Sequence, residues 1–162
     1  MQLASVLNGM SLPLLVVRTI LTAPSGGVLA KNLDWIAGAA AANPYPYAPL
    51  RALEPINLNA SGEGQYDRSS GCSEVTIAIE NSTDTLAFFN RIRVWDPNAP
   101  SGTLLSAVFP SDNYFSLLPG ESTTVTLSFQ ILGWRTPTIT LIGWNSGTGT
   151  PDNIVPIRWR SV

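Results

Sequence analysis

The chain has 162 residues, room for one β domain with a sizeable core and a remnant of another. Hydrophobic residues make up 44% and charged residues only 12%, below the roughly 25% of an ordinary domain, so the polar surface must come from Ser, Thr and Asn, as in β-rich extracellular proteins. A net charge of −2 without a Lys/Arg cluster excludes the electrostatic footprint of nucleic-acid binding, and zero histidines with a single cysteine, Cys72, exclude Ser-His and Cys-His catalysis, His-ligated zinc and an intrachain disulfide.

The apolar stretch 3–23 is long enough for a leader but lacks its order. It has no basic n-region, carries Asn8, Gly9 and Pro13 inside the apolar run, and has Arg18 where an h-region is uncharged. Neither a targeting segment nor a membrane span is expected there. Residues 1–36 read instead as a hairpin, with strands 14–21 and 28–36 around the turn Pro24-Ser25-Gly26-Gly27. Two strands cannot bury an apolar face alone, so this hairpin is expected to close the sheet of a truncated preceding sandwich domain. Residues 37–52 are rich in Ala and Pro and are expected to form an extended linker, with a short helix over 39–42 as the alternative.

Over residues 53–162, strand signals recur at the spacing of an antiparallel β-sandwich of seven or eight strands. Ile56, Leu58 and Ala60 alternate with Asn57 and Asn59; Val75, Ile77 and Ile79 alternate with Thr76, Ala78 and Glu80. Further strands are expected over 86–95, 104–109, 114–117, 122–129, 138–144 and 154–159. Between them fall turns at Asp96-Pro97-Asn98, Pro100-Ser101-Gly102, Pro119-Gly120 and Asn145-Ser146-Gly147. Cys72, beside Gly71 at the mouth of a strand, is expected to pack rather than react.

The segment 111–129 is the most informative. A Pro119-Gly120 turn, with φ preset by Pro119 and φ > 0 open to Gly120, precedes a strict alternation in which Val125, Leu127 and Phe129 share one face. The strand 86–95 contains a conflict instead. Phe88, Asn90, Ile92 and Val94 fall on one face and Phe89, Arg91, Arg93 and Trp95 on the other, so an inward Phe88 buries the Asn90 amide, which then needs partners.

Chemistry is sparse. The eleven acidic residues are scattered over turns and strand ends without a carboxylate pair suited to sugar hydrolysis. Calcium ligation by the Asp96-Pro97-Asn98 turn or by Asp112 and Asn113 competes with bonding of these residues to their own backbone. No cofactor or metal is expected. Trp144 and Trp159 are read as core or interdomain residues, and Trp134, between strands, as exposed. Sequons at Asn59 and Asn81 permit glycosylation in a secretory pathway.

Together, the run from Trp35 through Tyr47, Leu50 and Leu53, then LAFFNRIRV (86–94), SDNYFSLLPGES (111–122) and GWN (143–145), resembles the C-terminal end of family 2 glycoside hydrolases. The exo-β-D-glucosaminidase and β-mannosidase-like branch is the nearest likeness. The resemblance implies an immunoglobulin-like β-sandwich that follows a TIM barrel and packs on the remaining domains of the parent enzyme. It also implies that the catalytic glutamates lie in that barrel, without counterparts here. The parent reaction would be hydrolysis of a terminal β-linked glucosaminide or mannoside. Asp112, Asn113, Tyr114 and Trp134 are the candidate contacts to a neighbouring domain or a sugar. The alternative is an extracellular carbohydrate-binding or adhesion sandwich working by aromatic stacking.

Overall fold

The computed structural model describes residues 14–37, 47–131 and 135–161. The chain divides into two compact units, Met1–Leu53 and Glu54–Val162.

In the first unit, β1 (Leu14–Thr22) and β2 (Val28–Ala37) form an antiparallel hairpin in register from Leu14 opposite Ala37 to Leu21 opposite Ala30. Its turn is closed by Gly26 N–H donating to Ala23 O at 2.9 Å, with Gly26 at φ 86°. Ile20, Leu21, Val28 and Leu29, around the turn, are exposed, whereas Leu15 at the other end of the hairpin is buried. The linker expectation is corrected at its C-terminal end, where α1 (Ala48–Arg51) makes one helical turn. Pro49 lies in the first turn, where a missing N–H costs nothing, and Leu50 and Arg51 are good helix formers. The stretch 39–42 lies outside the described residues.

Among its described residues the second unit holds ten strands, four of them only two or three residues long. They are β3 (Ile56–Asn57), β4 (Asn59–Tyr66), β5 (Cys72–Glu80), β6 (Ala87–Trp95), β7 (Val108–Pro110), β8 (Phe115–Leu117), β9 (Ser122–Gln130), β10 (Thr138–Ile142), β11 (Ser146–Gly147) and β12 (Ile157–Ser161). One sheet has the order β12-β4-β5-β9-β7 and the other β10-β6-β8. The alternation in β5 and β9 works as it reads: Val75 pairs with Leu127 and Ile77 with Val125, all buried, while Thr76, Thr124 and Thr126 face out. Across the core they meet Ala87, Ile92 and Val94 of β6, Leu117 of β8 and Ile139 and Leu141 of β10.

The last strand joins both layers. Val155 N–H donates to Ile139 O on one sheet, and β12 then runs parallel to β4 on the other. To lie there, Ile157 and Trp159 cross the bare backbones of Gly62 and Gly64. A Cβ on Gly64 would stand 2.6 Å from the Trp159 ring. This explains why β4 runs on to Tyr66 through a Ser-Gly-Glu-Gly stretch that alternation alone does not extend beyond Ala60: its glycines are pockets for β12, not loop residues.

Two further expectations are corrected. Ser146 and Gly147 do not form a turn; they pair in parallel with β3, with Ile56 N–H donating to Asn145 O and Leu58 N–H to Gly147 O. Cys72 is exposed, because the inward positions of β5 begin with Ser73.

Candidate interaction surface

Strand β6 sets the geometry of a polar and aromatic part of the unit. Ala87 pairs with Leu117 and Asn90 with Phe115, so β6 carries one residue more than β8 over that span and bulges at Phe88-Phe89. Phe89 takes φ 56°, a left-handed conformation that costs a non-glycine residue on the order of 1 kcal/mol. Two asparagines hold this distortion. Asn145, within the GWN run, accepts from Phe88 N–H at 2.9 Å and donates to Glu54 O and Leu86 O. Asn90, fully buried, donates to Ala87 O and Phe115 O and accepts from the Ser146 hydroxyl. The partners that a buried amide at position 90 demands are therefore present, most of them backbone carbonyls freed by the bulge.

Asn113 does the same for the next stretch of β6. Its Oδ1 accepts from Ile92 N–H at 2.9 Å and its Nδ2 donates to Ile92 O at 3.3 Å, so the side chain replaces the strand that β8 fails to supply there. Oδ1 also accepts from Tyr114 N–H, and Tyr114 takes φ 60°. The result is an outward ledge. Tyr114, 54% exposed, and Phe89, 41% exposed, stand with ring centroids 5.3 Å apart and planes 47° apart. Beside them Arg91 and Arg93 leave the same side of β6, facing Ile142 and Thr140 of β10. A groove of about 250 Å³ lies alongside, lined by Arg91, Arg93, Leu104, Val108, Asn113 and Tyr114 among others.

The other candidate residues separate. Asp112 is exposed beside Asn113 without joining its hydrogen bonds. Trp134 lies outside the described residues. Trp144 is 60% exposed and so is not part of the core, since Gly143 ends the β10 alternation just before it. Trp95 is half-buried, its Nε1 donating to the Thr140 hydroxyl at 3.0 Å. The Asp96 carboxylate accepts Asn98 N–H, the local turn bond that competes with metal ligation. Among the described residues no three Cys, Asp or Glu side chains converge on a metal-sized site.

The two sequons differ. Asn59 is exposed, donating to Glu80 and Ser82. Asn81 is completely buried: its Nδ2 donates to Thr85 O, Leu117 O and Leu118 O, and its Oδ1 accepts from the Thr83 amide and hydroxyl. The folded domain has no room for a glycan on that nitrogen. Asn81 instead anchors the Leu118-Pro119-Gly120-Glu121 turn, whose backbone also bonds Asn81 O through Gly120 N–H and Asn81 N–H through Glu121 O. The Glu121 carboxylate closes the turn by accepting Leu118 N–H at 2.8 Å. Sequence reasoning placed the turn but missed its anchor, because an Asn-x-Thr triplet reads equally as a sequon and as a local capping turn. It also missed Phe89 as the ring partner of Tyr114; adjacent bulky residues ahead of an inward Asn were the available signal of a bulge.

The family model describing the exo-β-D-glucosaminidase Ig-fold domain matches residues 39–146. An exo-β-D-glucosaminidase from Amycolatopsis orientalis is 28% identical over 152 residues, which cover 83% of this chain and 14% of that protein. A mannosylglycoprotein endo-β-mannosidase from Lilium longiflorum is 35% identical over 83 residues, covering 48% of this chain and 9% of that protein. Among solved structures, the exo-chitosanase CsxA of Amycolatopsis orientalis superposes with a TM-score of 0.67 at 22% identity, over 83% of this chain and 18% of that one. The chain therefore spans less than a fifth of these relatives' lengths. On the family match over residues 39–146, two-thirds of its length, the chain belongs to the Ig-fold domain family of exo-β-D-glucosaminidases.

Proposed function

We propose that this chain is a non-catalytic, immunoglobulin-like scaffold domain of a family 2 glycoside hydrolase, with the remaining domains of that enzyme as its partners. The parent reaction would be hydrolysis of a terminal β-linked glucosaminide or mannoside, carried out by a carboxylate pair in a separate barrel with retention of configuration. The observation that carries this reading is the use made of the polar side chains. Asn81, Asn90, Asn113 and Asn145 are committed to the backbone of corners and a bulge, and the Glu121 carboxylate to the Leu118 amide. What the domain presents outward is a ledge of aromatic and guanidinium groups, the composition of interfaces rather than of acid/base sites.

Hydrolysis assays on the purified chain test the reading directly. The expected result is no turnover of p-nitrophenyl β-D-glucosaminide or β-D-mannoside; turnover that survives repurification would overturn it. A secreted parent is part of the same proposal. Expressed through a eukaryotic secretory pathway, the chain is expected to carry a glycan on Asn59 and none on Asn81, read by peptide mass spectrometry.

A further inference from the structure

The face that such a scaffold would use can be located. Arg91 and Arg93 are two residues apart on β6, so their side chains leave one face about 7 Å from each other. Both are partly buried, yet no carboxylate of the described residues lies within salt-bridge distance of either. The residues facing them are neutral: Ile142 and Thr140 across β10, and Leu104, Val108, Asn113 and Tyr114 along the groove. In a chain of net charge −2, this is a local concentration of unneutralised positive charge. The two left-handed residues that flank it, Phe89 and Tyr114, project their rings to the same edge. Arginine and exposed aromatic side chains around an apolar groove are the composition of a buried interface centre, and they lack only the opposite charge.

We infer that the outer face of β6, centred on Arg91, Arg93, Phe89 and Tyr114, docks a carboxylate-bearing surface of another domain of the parent glycoside hydrolase, a proposal that rests on the scaffold reading above. The occupant is a folded acidic surface with apolar neighbours: its Asp or Glu side chains pair with the two guanidinium groups, and its apolar side chains cover the Phe89–Tyr114 pair. The relatives' length supplies room for such a neighbour, since the matched solved chain has more than four-fifths of its residues outside the superposed part.

The test uses the whole chain in two settings, free and substituted for the matching domain of the Amycolatopsis orientalis exo-β-D-glucosaminidase. Phenylglyoxal labelling of arginines is read by peptide mass spectrometry, with Arg160, 60% exposed, as the internal reference. Arg91 and Arg93 are expected to label in the free chain and to be protected about tenfold or more in the chimera. Arg91→Glu/Arg93→Glu is expected to lower the chimera's thermal midpoint by about 4 °C or more and to leave the free chain's unchanged, with Arg91→Lys/Arg93→Lys recovering much of the loss. Tyr114→Asn, which keeps a residue tolerant of left-handed φ while removing the ring, is expected to act in the same direction.

Equal labelling in both settings overturns the docking face, and so does a charge reversal that destabilises both forms alike. A chimera that protects both arginines but does not hydrolyse p-nitrophenyl β-D-glucosaminide leaves the docking face standing and overturns the scaffold reading. One that hydrolyses it without protection does the reverse, and failure of both measurements overturns both.

Discussion

The β5–β9 pair and the β6–β8 pair solve the same problem by different means. β5 and β9 stay in register over nine residue pairs, from Cys72 opposite Gln130 to Glu80 opposite Ser122, and six of the eight inward side chains are apolar, Ser73 and Thr123 being the exceptions. β6 and β8 pair only at Ala87 and Asn90, and the ladder is completed by the side chain of Asn90 itself and by those of Asn113 and Asn145 from two other places in the chain. Where the backbone ladder is continuous, hydrophobic burial is the dominant stabilisation. Where it breaks, amide groups that imitate a strand take over, and the freed edge can carry outward-facing groups such as Phe89 and Tyr114.

That contrast can be broken by substitution. Ile77, fully buried at the centre of the continuous ladder, is the most costly residue to truncate: Ile77→Ala is expected to lose about 3–4 kcal/mol, measured by urea unfolding. In the amide-built region, Asn145→Ala removes one acceptor and two donor bonds and strands the Phe88 amide and the Leu86 carbonyl, for an expected loss of about 2–3 kcal/mol. If Asn145→Ala unfolds at the wild-type urea concentration, the side-chain ladder contributes nothing and the contrast fails.

The packing of β12 over β4 gives a smaller effect. Gly64→Ala drives a methyl group into the Trp159 ring and is expected to cost about 1–2 kcal/mol, with Gly64→Ala/Trp159→Leu recovering part of it. Equal destabilisation by the single and double variants would show that the loss arises elsewhere than at the ring.

The smallest effect is on acid stability and concerns the loop before β5. Hydrogen bonds from the Ser70 and Ser69 hydroxyls and the Ser69 amide hold the Asp67 carboxyl down to about 2 against its ordinary 3.8. Because the folded value is the lower one, the stabilisation is complete above the ordinary value and is lost as pH falls through about 2. Asp67→Asn is therefore expected to have a lower thermal midpoint than wild type near neutral pH, with the gap narrowing steadily below about pH 4. A gap that is constant with pH would assign the effect to the turn's shape rather than to the charge.

Much of this was legible in the residues. The alternation in 122–129 and 75–79 predicts β9 and β5 with their faces assigned, because a side-chain period of two is a local property of an extended chain. The Pro119-Gly120 turn is equally local, and Gly120 is found at φ 73°. Of the candidate surface, Tyr114 and the outward side of Arg91 and Arg93 could be read in advance. The roles of Asn81, Asn113 and Asn145 could not, since each bonds backbone at least thirty residues away or on a different strand, or both. The parallel pairing of Ser146-Gly147 with β3 was hidden for the same reason.

By itself the sequence determined the class of the molecule: an all-β chain with sandwich-spaced strands, with neither histidine nor a thiol pair for catalysis, and with a Pro-Gly turn at 118–121. Only the tertiary structure decided what its polar residues do. An amide can equally accept a glycan, ligate an ion or replace a missing strand, and the choice depends on which backbone groups the fold leaves unpaired beside it. At Asn81 and Asn145 those groups lie inside the domain, which turns a sequon and a supposed turn residue into structural anchors and leaves Phe89, Tyr114, Arg91 and Arg93 to face outward.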